Sequence, residues 1–303
     1  MNNEIDLIKK YKIRVIKESD KEYPKRLKEL KGMPKELFAI GNIDLLNNNA
    51  IAIVGSRDYD GYGKVHTKRF ASFLAQKGLT IVSGLARGID TFAHESSINK
   101  KGKTIAVIAS GFYNIYPKEN IKLAKEIIDN GGLIISEWEP NAQNTVYRFP
   151  QRNRIISGLS IATIVIESKM KSGSNITAYN AMKQGRIVFA LPGDLGVARS
   201  EGTNCLIKDG AYPVSTPLDV LDVLKFEGYE FEENKIKVDE QFKDVYDLIE
   251  TKPISVFELS RKINKTIPEI VEILFLLELD GFIKKDKDLY YKVESNKKHY
   301  TFV

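Results

Sequence analysis

From residue 50 onward the chain repeats one unit, a strand-length apolar run followed by a segment of helical length. The runs are AIAIV (50–54), LTIV (79–82), TIAVIA (104–109), LIIS (133–136), ATIVIE (162–167) and IVFAL (187–191). They are continuous rather than alternating and rich in β-branched residues, so each predicts a strand covered on both faces. Helical segments between successive strands act as crossovers, which makes neighbouring strands parallel. The pattern predicts an α/β domain over residues 50–225, built on a doubly wound, mainly parallel sheet.

The flanks read differently. Residues 1–49 are charged and broken at Tyr23-Pro24 and Met33-Pro34, which predicts an arm of short helices and turns packed on the domain. The stretch FEGYEFEENKIK (226–237) has many charges and no apolar period, and is expected to be a linker. Beyond it, helical patterns at about 239–250, 255–263 and 267–280 and an extended pair at 283–293 describe a small winged-helix domain over 238–303. With 303 residues and 43% hydrophobic content, the chain has enough apolar material for both cores.

Composition removes several classes of function. A single cysteine, Cys205, excludes an internal disulfide, and three scattered histidines give no Cys/His metal cage. No apolar run approaches the roughly 18 residues of a membrane span, so the expected location is the cytoplasm, with no membrane partner. The formal net charge of +6 is compatible with a polyanionic ligand only if the excess is local.

Open parallel sheets bind ligands outside the carboxyl ends of their strands, where loops and helix amino termini converge. The unusual residues of this chain fall there strand after strand: GSRDYDGYG (55–63), SGLARGID (83–90), SGFYNIYP (110–117), SEWEP (136–140), ESKMKSGSNITA (167–178) and PGDLG (192–196). Glycine lets backbone N–H groups approach a ligand, and neighbouring Ser and Thr hydroxyls suit phosphate. Cations occupy the same edge at Arg57, Arg87, Arg152, Arg154, Lys169 and Lys171. The combination predicts a phosphate-binding groove.

The familiar small ligands do not fit it. Gly55-Ser56-Arg57 lacks the G-x-G-x-x-G spacing of a dinucleotide site, no Walker loop occurs, and no G-x-S-x-G supplies a hydrolase nucleophile. No cofactor is expected. His94 is read as a capping or packing residue, and Glu167 is the strongest enzymatic candidate among the strand-end carboxylates.

Taken together, VGSRDYDGYG, SGLARGIDTFAH, GFYNIYPKEN, FPQRNRIISGLS, ESKMKSGSNITA, LPGDLG and GTNCLIKDGA resemble the bacterial DNA-processing protein A family, also called Smf. The resemblance runs in matching order from about residue 23 to 223, departing from the usual pattern at Asn114 and Asn175. It implies an extended Rossmann-like domain that dimerises, binds single-stranded DNA and loads the RecA recombinase onto it in natural transformation and homologous recombination. Single-stranded-DNA-binding protein is a further candidate partner. By motif match the DNA-binding set would include Gly55, Ser56 and Arg57 after the first strand, and Ser83, Gly84, Arg87 and Gly88 after the second. FPQRNR would contribute Phe149, Arg152, Asn153 and Arg154; the fifth-strand loop Lys169, Ser172, Gly173, Ser174 and Thr177; and the later turn Gly202, Thr203 and Asn204. Aromatics in these loops (Phe112, Tyr113, Trp138, Tyr147, Phe149) are candidates to stack on bases.

Two other functions stay open on the residues alone. One is nucleotide hydrolysis on the related lysine-decarboxylase-like fold, with Glu167 as its acid, although neither LPGDLG nor EGTN (201–204) completes that group's P-G-G-x-G-T loop. The other is a nucleotide sensor that signals through the winged helix. The third helix of that domain carries Glu269, Glu272, Glu278 and Asp280 and no Lys or Arg, so it is expected not to read duplex sequence.

Overall fold

The computed structural model describes residues 8–230, 238, 240–249, 253–279 and 282–293. The chain divides into two compact units, Met1–Asn234 and Lys235–Val303. The linker expected at 226–237 lies mostly outside the described residues.

In the first unit the apolar runs become β3 (Ala50–Val54), β4 (Thr80–Ser83), β5 (Thr104–Ile108), β6 (Leu133–Ser136), β7 (Ala162–Val165) and β8 (Ile187–Ala190). They are joined by α2 (Gly61–Gln76), α3 (Ile89–Asn99), α4 (Ile121–Asp129), α5 (Arg148–Leu159) and α6 (Gly173–Lys183). After β8 come α7 (Ala198–Lys208), a two-residue strand β9 (Tyr212–Pro213) and α8 (Pro217–Phe226). With β1 (Arg14–Lys17) and β2 (Glu36–Gly41) at one edge, the sheet order is β1-β2-β6-β5-β4-β3-β7-β8-β9, and every pair from β6 to β9 is parallel. Its strands are lined on both faces. Ile105, Val107, Leu133 and Ile135 enter one cluster, while Ala106, Ile108 and Ile134, one residue out of phase, enter another with Ile127 of α4. The fold is the doubly wound, Rossmann-like α/β arrangement, with a small antiparallel sheet near the carboxyl end of the chain.

The first 49 residues differ from the expected arm of helices and turns. They contribute β1 (Arg14–Lys17) and β2 (Glu36–Gly41), which extend the sheet antiparallel from β6, with one turn of helix, α1 (Lys25–Lys28), between them. The strand RVIK buries only Ile16, as an edge strand does, so it carries too little apolar signal to be seen. Tyr23 and Leu27 join the main core, and the Tyr23 hydroxyl donates to the Pro34 carbonyl. Pro24 and Pro34, read as breaks in a packed arm, are both buried.

The second unit has α9 (Lys243–Leu248), α10 (Val256–Ile263), α11 (Ile267–Leu279) and a three-stranded sheet in the order β10-β12-β11, formed by β10 (Ile254–Ser255), β11 (Ile283–Asp286) and β12 (Leu289–Lys292). Val245, Leu259, Ile270, Leu274, Leu277, Ile283 and Tyr290 form its core, the arrangement of a winged helix.

Candidate nucleic-acid interface

The chain winds outward from β3 in both directions, through β4, β5 and β6 on one side and β7, β8 and β9 on the other. The switch point therefore lies between β3 and β7, and a crevice opens outside their carboxyl ends. The loop after β3 carries Gly55, Ser56, Arg57 and Asp58, and the loop after β7 carries Lys169, Lys171 and Ser172. Among the described residues no helix is long and apolar enough to cross a membrane, and no group of three His, Cys, Asp or Glu side chains is placed to hold a metal.

On the β4 side of the crevice is a shallow depression lined by Arg57, Ala86, Arg87, Tyr116, Pro117 and Phe149. The Arg57 guanidinium lies 5.2 Å from the Phe149 ring centroid and the Arg87 guanidinium 6.0 Å from that of Tyr116. The two rings meet edge to face at 5.9 Å. Arg87 also pairs with Glu119 at 2.5 Å, whereas Arg57 has no carboxylate partner among the described residues. Arg57 is exposed, and its loop is fixed by neighbours. Ser56 Oγ donates to the Asp58 carbonyl at 2.7 Å and accepts from the Asp58 N–H at 3.1 Å. Gly88 (φ 79°) passes so close that an added Cβ would lie 2.5 Å from the Ser56 carbonyl oxygen. A Cβ on Gly55 would lie 2.7 Å from the Ile89 side chain.

On the β7 side, Ser172 caps α6 by accepting from Ser174 N–H. Asn175 is buried and donates to the carbonyls of Lys169 (3.0 Å) and Met170 (2.9 Å), so it folds the loop that presents Lys169. Asn153 donates to the Gly173 carbonyl at 3.0 Å, and the Thr177 hydroxyl bonds back to the same carbonyl. Gly202 N–H donates to the Ser168 carbonyl at 2.7 Å, Thr203 bonds to Ser200, and Asn204 exchanges two hydrogen bonds with Gly193. Lys169 Nζ reaches Asp58 Oδ2 across the switch point at 2.8 Å, and Arg199, at the start of α7, meets the same carboxylate at 3.7 Å.

The structure separates the expected site residues into two groups. Arg57, Arg87, Phe149, Lys169, Ser172 and Gly173 reach the surface of the crevice. Ser56, Ser83, Gly84, Gly88, Asn153, Ser174, Thr177, Gly202 and Thr203 are buried, and Asn204 is half-buried. Ser83, for instance, donates to the Ile53 carbonyl inside the sheet.

Of the two FPQRNR arginines, Arg152 is turned inward and Arg154 is partly exposed. Arg152 is 3% exposed and donates to the carbonyls of Gly84 and Val107 and to Asn153 Oδ1. Burial lowers its pKa to about 10, with Asp90 pulling it back up, so it stays charged at neutral pH as an interior tie. Asp90 in turn accepts from the N–H groups of Gly84 and Ala86, and burial raises its carboxyl. A Cβ on Gly84 would lie 2.5–2.7 Å from the Arg152 guanidinium, which explains a glycine after β4. Arg154 pairs with Glu137 and contacts Met33 of the amino-terminal segment, away from the Arg57 depression.

Among the aromatics, Phe112 is a core residue at 1% exposure and Trp138 is half-buried under Arg148. Tyr116, Asp58, Glu119 and Arg199 line or neutralise the crevice without having been singled out in the sequence. The signal for Tyr116 was present in SGFYNIYP, whereas the counter-ions depend on pairings 32 to 141 residues apart. His94 is fully buried; its Nδ1 bonds Thr104 Oγ1 at 2.7 Å and burial pushes its pKa to about 3, so it is a neutral packing residue. Glu167 is 4% exposed, and burial followed by its hydrogen bond to Asp60 raises its carboxyl to about 7.

With the fold and crevice in place, comparison with known proteins is decisive. The sequence profile of DNA recombination-mediator protein A matches residues 14–225. Protein Smf of Escherichia coli (strain K12) is 37% identical over 270 residues, covering 86% of this chain and 72% of that protein. The DNA processing protein DprA of Bacillus subtilis (strain 168) is 45% identical over 213 residues, 70% of this chain and 71% of that one. The X-ray structure of DNA processing protein A from Streptococcus pneumoniae superposes with a TM-score of 0.67 at 41% identity, covering 75% of this chain and 77% of its own. A structure of DNA processing protein A from Helicobacter pylori, whose subject is its single-stranded DNA binding mode, gives 0.65 at 33% identity, with 73% and 99% covered. The chain belongs to the DNA recombination-mediator protein A family, the DprA/Smf proteins.

Proposed function

We propose that this chain is a non-catalytic single-stranded DNA binder that acts as a homodimer, protects incoming strands and loads RecA recombinase onto them, with single-stranded-DNA-binding protein as the competitor it works beside. The observation that carries this reading is the depression at the switch point. Arg57, free of any carboxylate among the described residues, lies over Phe149 next to the Arg87–Tyr116 pair. A single strand offers a phosphate and an unstacked base at each step, and a cation beside a ring face answers both; a stacked base contributes about 1–3 kcal/mol. Glu167 is 4% exposed and packs closely on Gly63, which disfavours nucleotide hydrolysis.

Filter binding of an unstructured oligonucleotide over a salt series tests the proposal, because log K should fall with log salt by about 0.7 per phosphate neutralised. Arg57→Ala is expected to weaken binding at least tenfold with the melting temperature unchanged. Equal affinity of the variant and the parent would count decisively against the site. RecA loading is read separately, as faster strand exchange in the presence of single-stranded-DNA-binding protein.

A further inference from the structure

The crevice holds a carboxylate where its geometry calls for a phosphate. Asp58 leaves the loop after β3, and its side chain crosses the switch point. Its Oδ2 takes Lys169 Nζ at 2.8 Å, and its Oδ1 lies 3.7 Å from Arg199 Nη2. Arg199 Nε also donates to the Asp58 carbonyl at 3.0 Å. Lys169 and Arg199 come from two different elements, and Asp58 is the anion on which they converge.

We propose that Asp58 is an internal stand-in for a DNA phosphate, which occupies the Lys169–Arg199 seat in the free protein and must be displaced when a strand lies across the switch point. This rests on the single-stranded DNA reading and adds to it a residue that sets affinity by competition.

Three features support exchange rather than a permanent structural tie. The Asp58 side chain is 64% exposed and Lys169 50%, so the pair forms in water and is held weakly. The turn that carries Asp58 is fixed through its backbone N–H and carbonyl by Ser56, so releasing the carboxylate leaves the loop in place. The neighbouring surface is open, since nothing lies within 4 Å of the Cβ position of Gly173 at the start of α6. A phosphate arriving there meets an ammonium and a guanidinium. The two cations hold the Asp58 carboxyl below its usual range, so at neutral pH the competitor is fully ionised.

The test is Asp58→Asn in the full chain, which keeps shape and backbone bonds while removing the charge. Affinity for a fluorescent oligothymidylate at physiological salt is expected to rise about fivefold or more, with a steeper salt dependence as Lys169 and Arg199 turn to phosphate. The gain should vanish when Lys169→Gln is added, because the two changes act on one seat. Thermal melting reports whether each variant folds. Unchanged or weaker binding in Asp58→Asn, or a gain that survives Lys169→Gln, overturns the proposal. Arg57→Ala run in parallel separates the two failures. If Asp58→Asn fails its test while the parent binds and Arg57→Ala does not, only the Asp58 proposal falls; if neither the parent nor any variant binds single strands, the DNA reading falls and takes this one with it.

Discussion

A charged residue at the carboxyl edge of a parallel sheet has two physical fates, and the cations of this chain show both. Arg57, Arg87 and Lys169 are exposed and exchangeable, while Arg152 is sealed inside and satisfied by two carbonyls. Sequence spacing treats them alike, because FPQRNR places Arg152 beside residues that do reach the surface; only the helix phase of α5 decides which arginine turns inward. Glu167 is the inward residue with a pH consequence. Its folded pKa of about 7 stands above the usual 4.5, chiefly through burial. The folded state thus holds a proton that the unfolded state has lost. The stability this contributes is complete below about pH 4.5 and is lost as pH rises through 7. Glu167→Gln keeps the hydrogen-bonding shape and cannot ionise. It is expected to flatten the decline in unfolding free energy between those pH values and to leave the variant more stable than the parent at pH 8, by on the order of 2 kcal/mol. Urea denaturation at a series of pH values measures it, and parallel curves for the two proteins would show that the carboxyl does not titrate there.

At the scale of elements, β3 to β8 were legible because a strand buried on both faces must be apolar throughout. β1, β2 and β9 were not. β1 buries only Ile16 and β9 neither of its residues, and all three draw their order from a neighbour, β2 from β6 and β9 from β8, which no local pattern records. The edge of the sheet on which the site would sit was legible for a related reason, since glycines cluster where loops must pass one another. Gly88 ties the loop after β4 to the loop that carries Arg57 through its 79° φ and its approach to Ser56. Counter-ions such as Asp58 and Glu119 stayed hidden because charge pairing between loops depends on sheet order. Gly88→Ala is expected to lose at least about 1 kcal/mol of stability from the unfavourable φ and the close carbonyl. It should also weaken oligonucleotide binding by displacing Arg57, although residue 88 itself is buried. Binding at the parent's affinity in a destabilised Gly88→Ala would show that the loop after β3 holds its shape without this contact.

For the whole molecule, the division of labour follows from where charge is placed in the two units. The first unit has exposed cations, Arg57, Arg87 and Lys169, around its switch point. In the second, α11 exposes Glu269 and Glu272 beside an apolar ridge of Ile267, Val271 and Phe275, four residues apart. A helix lying in a major groove needs cations toward the flanking phosphates, and carboxylates there oppose binding. Exposed cations of the second unit, among them Lys243, Arg261, Lys262 and Lys265 and the wing residues Lys284, Lys285 and Lys287, are interspersed with exposed carboxylates such as Asp244, Glu258, Asp286 and Asp288, so they can add only a few non-specific contacts. Removing residues 235–303 is therefore expected to change the dissociation constant for single-stranded DNA by less than about twofold at physiological salt, because almost none of the salt-dependent attraction would be lost. The full chain should show no preference among duplex sequences of equal length. Both follow from one measurement series, competition of unlabelled duplex and single strands against a labelled oligonucleotide for the full and shortened chains. A tenfold loss on shortening would place part of the DNA track on the wing, and the charge argument for α11 would then apply to that helix alone and not to its domain.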